Sequence, residues 1–140
     1  MKNPYSVFLL SASLVFLVLK LETQNVLAQS YLWANSIAAD GGGESGNSIA
    51  VDDSGNVYIT GQFGGTADFD PGAGTANLIS VSIYYDIFFA KYNTNGNYLW
   101  AKSIGGIEDD YGRSIDLDGS NNVYITGDFG DMADFNPGAG

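Results

Sequence analysis

The 140 residues contain no cysteine and no histidine, and only five lysines and arginines. Without cysteine there is no disulfide to support the fold, no thiol nucleophile and no Cys/His zinc site. Without histidine, the usual base of a nucleophilic triad is missing. The few basic residues face 16 aspartates and glutamates, giving a formal net charge of −11. A surface of that sign repels nucleic acid and anionic membranes and attracts divalent cations. Helical periodicity is also absent after residue 29, where short β-branched and aromatic runs alternate with Gly, Asn and Asp clusters. The expected fold class is therefore all-β.

The N-terminus has a different character. Lys2 precedes a run from Val7 to Leu19 that only Ser11 and Ser13 interrupt, and Val26-Leu27-Ala28 follows. This is the three-part layout of a secretory signal peptide over residues 1–28, and cleavage there leaves Gln29 first. The run falls short of the roughly 20 residues that span a bilayer. Lys20 and Glu22 end it, and no cysteine follows to carry a lipid. Removal of residues 1–28 leaves three basic residues against about 15 acids, close to −12. The expected location is secreted or at the cell surface, with no membrane span in the mature chain.

The remainder, 29–140, is a repeat. Gly46–Gly74 reads GNSIAVDDSGNVYITGQFGGTADFDPGAG and Gly112–Gly140 reads GRSIDLDGSNNVYITGDFGDMADFNPGAG, with about 20 of 29 positions identical and no gap. Leu32–Ile37 matches Leu99–Ile104 in the same way, one residue further apart.

Each unit divides into strands. Ser48–Asp52 alternates, with Ile49 and Val51 on one face, and Val57–Phe63 is its return strand. Between them Asp52–Asn56 has turn chemistry; Asn121 replaces Gly55 in the second copy, as a positive φ requires. Asp86–Tyr92 is apolar on both faces and should lie between sheets. Asn93–Asn97 is a turn, and Tyr98–Ile104 is a fourth strand carrying Trp100. The insert 64–85 reads as loop over Ala67–Gly74, with a short extra strand in Asn77–Ile83.

Four antiparallel strands make a β-propeller blade. The chain offers a fourth strand (32–37), one full repeat (46–104) and the first two strands of another (112–140). A propeller needs about four to eight blades. The expectation is an incomplete set, one full blade and two partial ones, that belongs to a longer product or assembles with other chains.

The motifs SIAVDDSGNVYITGQF (48–63), DIFFAKYNTNGNYLWAKSIGG (86–106) and SIDLDGSNNVYITGDF (114–129) resemble the bacterial seven-bladed β-propeller repeat family, SBBP. They are also similar to NHL-type propeller repeats. The ADFDPGAG segment looks like the long-insert version found in large secreted bacterial proteins. The resemblance implies a propeller fold in an extracellular or cell-surface protein, and from the NHL likeness a binding platform. Ala38-Ala39 depart from the later Gly105-Gly106.

Little in the chain suggests catalysis. Glu44 and Glu108-Asp109-Asp110 lie in equivalent loops and supply carboxylates for a hydrolase on paper, but composition favours solvated acidic loops. Repetition also argues against a unique active centre. Calcium is the better chemical candidate, at Asp68 and Asp70 and at Asp134 and Asn136. The same residues are turn formers, and no D-x-D-x-D-G signature is present. Tyr58, Tyr124, Trp33 and Trp100 suit blade packing better than a carbohydrate platform. The expected function is a non-enzymatic scaffold or binding module whose partners are further blades, other chains, or protein or glycan ligands. The alternative is a carbohydrate-binding or polysaccharide-active propeller whose catalytic residues lie in other blades.

Overall fold

The computed structural model describes residues 5–10, 14–20 and 31–136, all strand, turn or loop. Its strands are β1 (Tyr5–Leu10), β2 (Leu14–Lys20), β3 (Tyr31–Ala39), β4 (Ser45–Val51), β5 (Val57–Phe63), β6 (Thr66–Asp68), β7 (Asn77–Ile79), β8 (Asp86–Tyr92), β9 (Tyr98–Gly106), β10 (Tyr111–Leu117), β11 (Val123–Asp128) and β12 (Ala133–Asp134). The protein is all-β, as expected from its alternating short runs.

The central sheet runs β4-β5-β8-β9, each strand antiparallel to the next, and is one complete four-stranded blade. The β4–β5 turn forms because Asp52 Oδ1 accepts from the backbone N–H groups of Ser54 and Asn56, at 3.0 and 2.9 Å. Gly55 closes it at φ 80°, and Asn121 takes the equivalent place in the second copy at φ 62°. Each copy then has a bulge, between Gly46 and Ser48 in the first and between Gly112 and Ser114 in the second. The bulge forces the facing strand to be glycine: a side chain at Gly61 would overlap the Ser45 carbonyl, and one at Gly127 that of Tyr111. The repeated VYITG sequence thus encodes a backbone contact as well as a hydrophobic strand.

Each face of the complete blade is covered. On one side Phe88, Ala90 and Tyr92 from β8 join Ile59, Phe63, Ile37 and Phe69 in the larger core. On the other, Tyr58 and Phe89 pack with Ile115 of β10, flanked by Trp100, Leu117, Val123 and Ile125. Alternate β8 residues feed the two clusters, which is why that strand is apolar on both faces.

The insert corrects the loop expected at Ala67–Gly74. Its start is strand β6, which leaves its own blade and pairs with β3, Ala39 against Ala67 and Ala38 against Asp68. The second copy repeats this, with Ala133 and Asp134 of β12 opposite Gly106 and Gly105. The fourth strands therefore extend beyond Ile37 and Ile104, to Ala39 and Gly106. Composition concealed this because the partner is a three-residue strand within a run of turn formers. The extra strand in the Asn77–Ile83 stretch is present as β7, limited to Asn77–Ile79 and hydrogen-bonded to β6.

Two strands come from the N-terminal apolar stretch. β2 pairs with β3 so that Leu14, Val15, Phe16 and Leu17 face Ile37, Ser36, Asn35 and Ala34. The complete blade has the same register, with Ile87, Phe88, Phe89 and Ala90 facing Ile104, Ser103, Lys102 and Ala101. β2 thus occupies a third-strand position, and β1 the position beside it. The expected cleavage point after Ala28 lies outside the described residues. Among the described residues no helix is long and apolar enough to cross a membrane.

Candidate functional site: blade seams and acidic turns

The acidic loops join blades. Asp110 is fully buried, which corrects the expectation of solvated acids there. Its Oδ2 accepts from Gly106 N–H at 2.8 Å and its Oδ1 from Gly130 N–H at 3.1 Å, joining β9 to the next repeat. Glu44 does the equivalent in the first copy, accepting from Ala39 N–H at 3.0 Å. Asp109 accepts from Tyr85 N–H at 3.0 Å, whereas Glu108 is exposed. Carboxylates committed to backbone donors in this way are structural groups.

Asp86 stands beside them and was missed in the sequence reading, where it was simply the first residue of a strand. It is buried. Its Oδ2 accepts from Val81 N–H at 3.0 Å, and its Oδ1 has no hydrogen-bond partner. Burial, reinforced by the neighbouring Asp110 charge, pushes its carboxyl up to about 6. Gly105 lies against it so closely that any side chain there would overlap the carboxylate. Ala38 stands at that position in the first copy.

The four residues considered for calcium lie at the ends of β6 and β12, where Asp68 and Asp134 are the last residues, and in the polar turns that follow. Asp68 Oδ1 accepts from Asp70 N–H at 3.0 Å and Ala76 N–H at 2.8 Å. Asp70 Oδ1 accepts from Gly72 N–H at 2.8 Å, and Asp134 Oδ1 from Asn136 N–H, also at 2.8 Å. Among the described residues no three acidic, histidine or cysteine side chains converge on one point. Backbone donors account for the aspartates chemically as Asx turns.

The aromatics sort by copy. Tyr58 is buried and meets Trp100 edge-on, with centroids 6.0 Å apart. Trp33 is half-buried, and its indole N–H donates to the Thr94 carbonyl at 3.1 Å across the seam. Tyr124 is 58% exposed.

Around Tyr58 there is a compact polar socket. Asp52 Oδ2 accepts from Asn56 Nδ2 at 2.8 Å and from the Tyr58 hydroxyl at 3.3 Å. Lys91, from β8, completes it, with Nζ 3.5 Å from Asp52 and 4.7 Å over the Tyr58 ring. Burial raises the Asp52 carboxyl, but the Asn56 bonds and the Lys91 charge outweigh it and hold the group below its ordinary value. The second copy builds the same socket. Asp118 accepts from Ser120 and Asn122 N–H at 2.8 and 2.9 Å, from Asn122 Nδ2 at 2.7 Å and from the Tyr124 hydroxyl at 3.2 Å. No lysine or arginine among the described residues pairs with Asp118.

A repeated strand–turn–strand unit, with a fourth strand continuing into the next copy, is also what the family comparison detects. Residues 45–62 and 99–128 match the SBBP model, described as a beta-propeller repeat. The chain carries SBBP β-propeller repeats. The second SBBP match begins on the fourth strand of the complete blade and runs through β10 and β11, across the seam that Asp110 ties together. The chain is also similar to an uncharacterized WD repeat-containing protein, L264, of Acanthamoeba polyphaga mimivirus. Identity is 28% over 102 residues, 63% of this chain. The chain spans about 7% of that protein's length. The SBBP assignment fits the observed blade, and the distant likeness is to another repeat protein.

Proposed function

We propose that the protein is a non-enzymatic scaffold or binding module of the secreted or cell-surface kind, acting within a larger assembly of blades. The observation that carries this reading is the use of the aromatics. Where a repeat is complete, Tyr58, Phe63, Phe88 and Phe89 are buried, and partly buried Trp100 and Trp33 pack at the blade seams. The conspicuous residues thus join blade to blade, and the buried acids bind backbone. Absence of histidine and cysteine supports the non-enzymatic reading. The layout of residues 1–28 supports secretion. Calcium at Asp68 and Asp70, and at Asp134 and Asn136, belongs to the same proposal as a stabiliser of the insert turns.

Three measurements test it. Fused ahead of a periplasm-dependent reporter in a bacterium, residues 1–140 should export the reporter and yield a mature chain starting at Gln29; cytoplasmic retention would overturn secretion. Affinity electrophoresis in neutral and acidic polysaccharides should show no retardation. Retardation lost on Trp33→Ala would favour the glycan-binding alternative. Millimolar calcium should raise the melting temperature, and Asp68→Asn should cancel the rise. No rise in the unsubstituted chain would remove the metal from the proposal.

A further inference from the structure

The carboxyls of Asp86 and Asp110 come together where the insert, β8 and β9 meet. Gly105 of β9 lies against the Asp86 carboxylate, and the next residue, Gly106, donates its N–H to Asp110 Oδ2 at 2.8 Å. Both acids are buried, at 1% and 0% exposure. Asp110 accepts from two backbone N–H groups, those of Gly106 and Gly130. Asp86 accepts from Val81 alone, and its Oδ1 has no partner. A buried carboxylate oxygen without a donor, beside a second negative charge, is costly, and a proton is the simplest relief. A hard divalent cation takes six or more oxygens, and among the described residues no three acidic side chains converge. The surrounding groups supply no competing charge at Oδ1. β5 places Phe63 opposite Asp86, and Lys102 of β9 stands opposite Phe89, three residues along β8. Asp109 accepts from Tyr85 N–H at 3.0 Å, Glu108 and Asp134 are exposed, and Arg113 lies over the Tyr111 ring and pairs with Asp128. The Tyr85 and Tyr111 hydroxyls stay neutral below about pH 8.

We propose that Asp86 and Asp110 share one proton, with Asp86 Oδ1–H donating to the Asp110 carboxylate, and that this proton is an acid-set latch on the insert segment 80–85. The proton comes from solvent and returns to it. Polar ties hold the segment where packing does not, since Val81 and Ile83 are 63% and 91% exposed. Val81 N–H donates to Asp86 Oδ2, Tyr85 N–H to Asp109, and the Tyr85 carbonyl accepts from Asp110 N–H at 2.7 Å. Ser80 adds one tie outside the pair, accepting from Gly65 N–H at 2.9 Å. With the proton in place the two carboxyls attract. Without it two buried charges repel, and the segment yields, because Gly105 and Gly106 are held in β9 between β8 and β12. Burial, with the Asp110 charge, sets the Asp86 carboxyl at about 6. That is above its ordinary value, so the latch is fully closed below about pH 4 and is lost as pH rises through about 6. Release loosens Val81–Tyr84 and leaves the blade strands paired.

The test uses the full chain, with carboxyl carbon NMR and hydrogen exchange corrected for the intrinsic pH dependence of exchange. The Asp86 carboxyl should titrate near 6, and the Asp110 signal should move in step with it. Opening at the Val81 and Tyr85 amides should rise about tenfold per pH unit from 4 to 6 and level off above. The Gly96 and Asn97 amides, bonded within the distant Asn93 turn, should show no such rise. Asp86→Asn should keep Val81 and Tyr85 protected at every pH, and Asp110→Asn should lower the Asp86 midpoint. Should either substitution unfold the chain, the titration and exchange of the unsubstituted protein still decide. An Asp86 midpoint near 4, an Asp110 signal that ignores it, or an equal rise at Gly96 and Asn97 would overturn the latch. So would protection of Val81 restored at pH 8 by sodium or calcium chloride but not by tetramethylammonium chloride of equal ionic strength, which would identify a metal ion as the occupant.

Discussion

The two copies of the repeat carry nearly the same sequence into different surroundings. Both make the same Asx turn, the same bulge, the same glycine contact and the same tyrosine–aspartate bond. They differ in burial. Phe69 is fully buried, in contact with Phe63 at 5.7 Å and Phe88 at 5.0 Å. Phe135, its counterpart, keeps the edge-on contact with Phe129 at 5.1 Å yet is 58% exposed. Local geometry is therefore set within about 30 residues of chain, whereas burial requires the adjacent strands β8 and β9 and the preceding blade. The comparison separates what a repeat does alone from what its neighbours do for it.

Substitution of the paired phenylalanines tests this most severely. Phe69→Ala leaves a cavity in the larger core and should cost about 3–5 kcal/mol in urea unfolding. Phe135→Ala should change stability by less than about 0.5 kcal/mol. Similar losses at both sites would mean that the second half-blade is as well packed as the first.

The buried carboxyl comes next. Asp86, in the complete blade, has its carboxyl pushed up to about 6. The folded protein then holds this proton more tightly than the unfolded chain. Its contribution is fully present below about pH 4 and is lost as pH rises through about 6. Asp86→Asn keeps an acceptor for Val81 N–H and offers an amide donor towards Asp110. It should flatten the decline in stability between pH 4 and 6, and raise stability at pH 8 by on the order of 1–3 kcal/mol. A parallel shift of the whole pH profile would show instead that the effect is one of packing.

Turn glycines give a smaller effect. Gly55→Ala places a side chain at φ 80° and should cost about 1–2 kcal/mol. Asn121→Gly, at φ 62°, should be nearly neutral because both residues tolerate that conformation. A change of similar size is expected at the Asp52–Tyr58 socket. Lys91→Met should lower stability by about 1 kcal/mol through Asp52, and salt should reduce the difference between the two proteins.

Much of the fold was legible in the chain. The bounds of β5 and β8 follow from their β-branched and aromatic runs, and the Asp52–Asn56 turn from its residue chemistry. β6 and β12 were not legible, since two or three residues such as Ala67-Asp68 carry no periodicity and become strands only when Ala38 and Ala39 are beside them. Asp110 was legible as an acid in a loop but not as a buried one, because its burial comes from Gly106 and Gly130 on either side. Asp86 gave a weaker signal still, a single acid opening an apolar strand. The socket around Tyr58 brings together residues up to 39 positions apart, Asp52 and Lys91, and no local pattern encodes such a distance.

The sequence by itself determined the all-β class, the repeat, the turns and the two-faced apolar character of β8. These depend on side-chain alternation and on φ preferences, which act between neighbours in the chain. Tertiary structure alone decided that the insert pairs with the preceding blade, that Asp86 and Asp110 lie buried at a seam, and that VYITG is enclosed in one copy and open in the other. Those outcomes depend on which strand lies alongside, since the same five residues bury or expose their tyrosine according to whether a lysine-bearing strand is there to cover it.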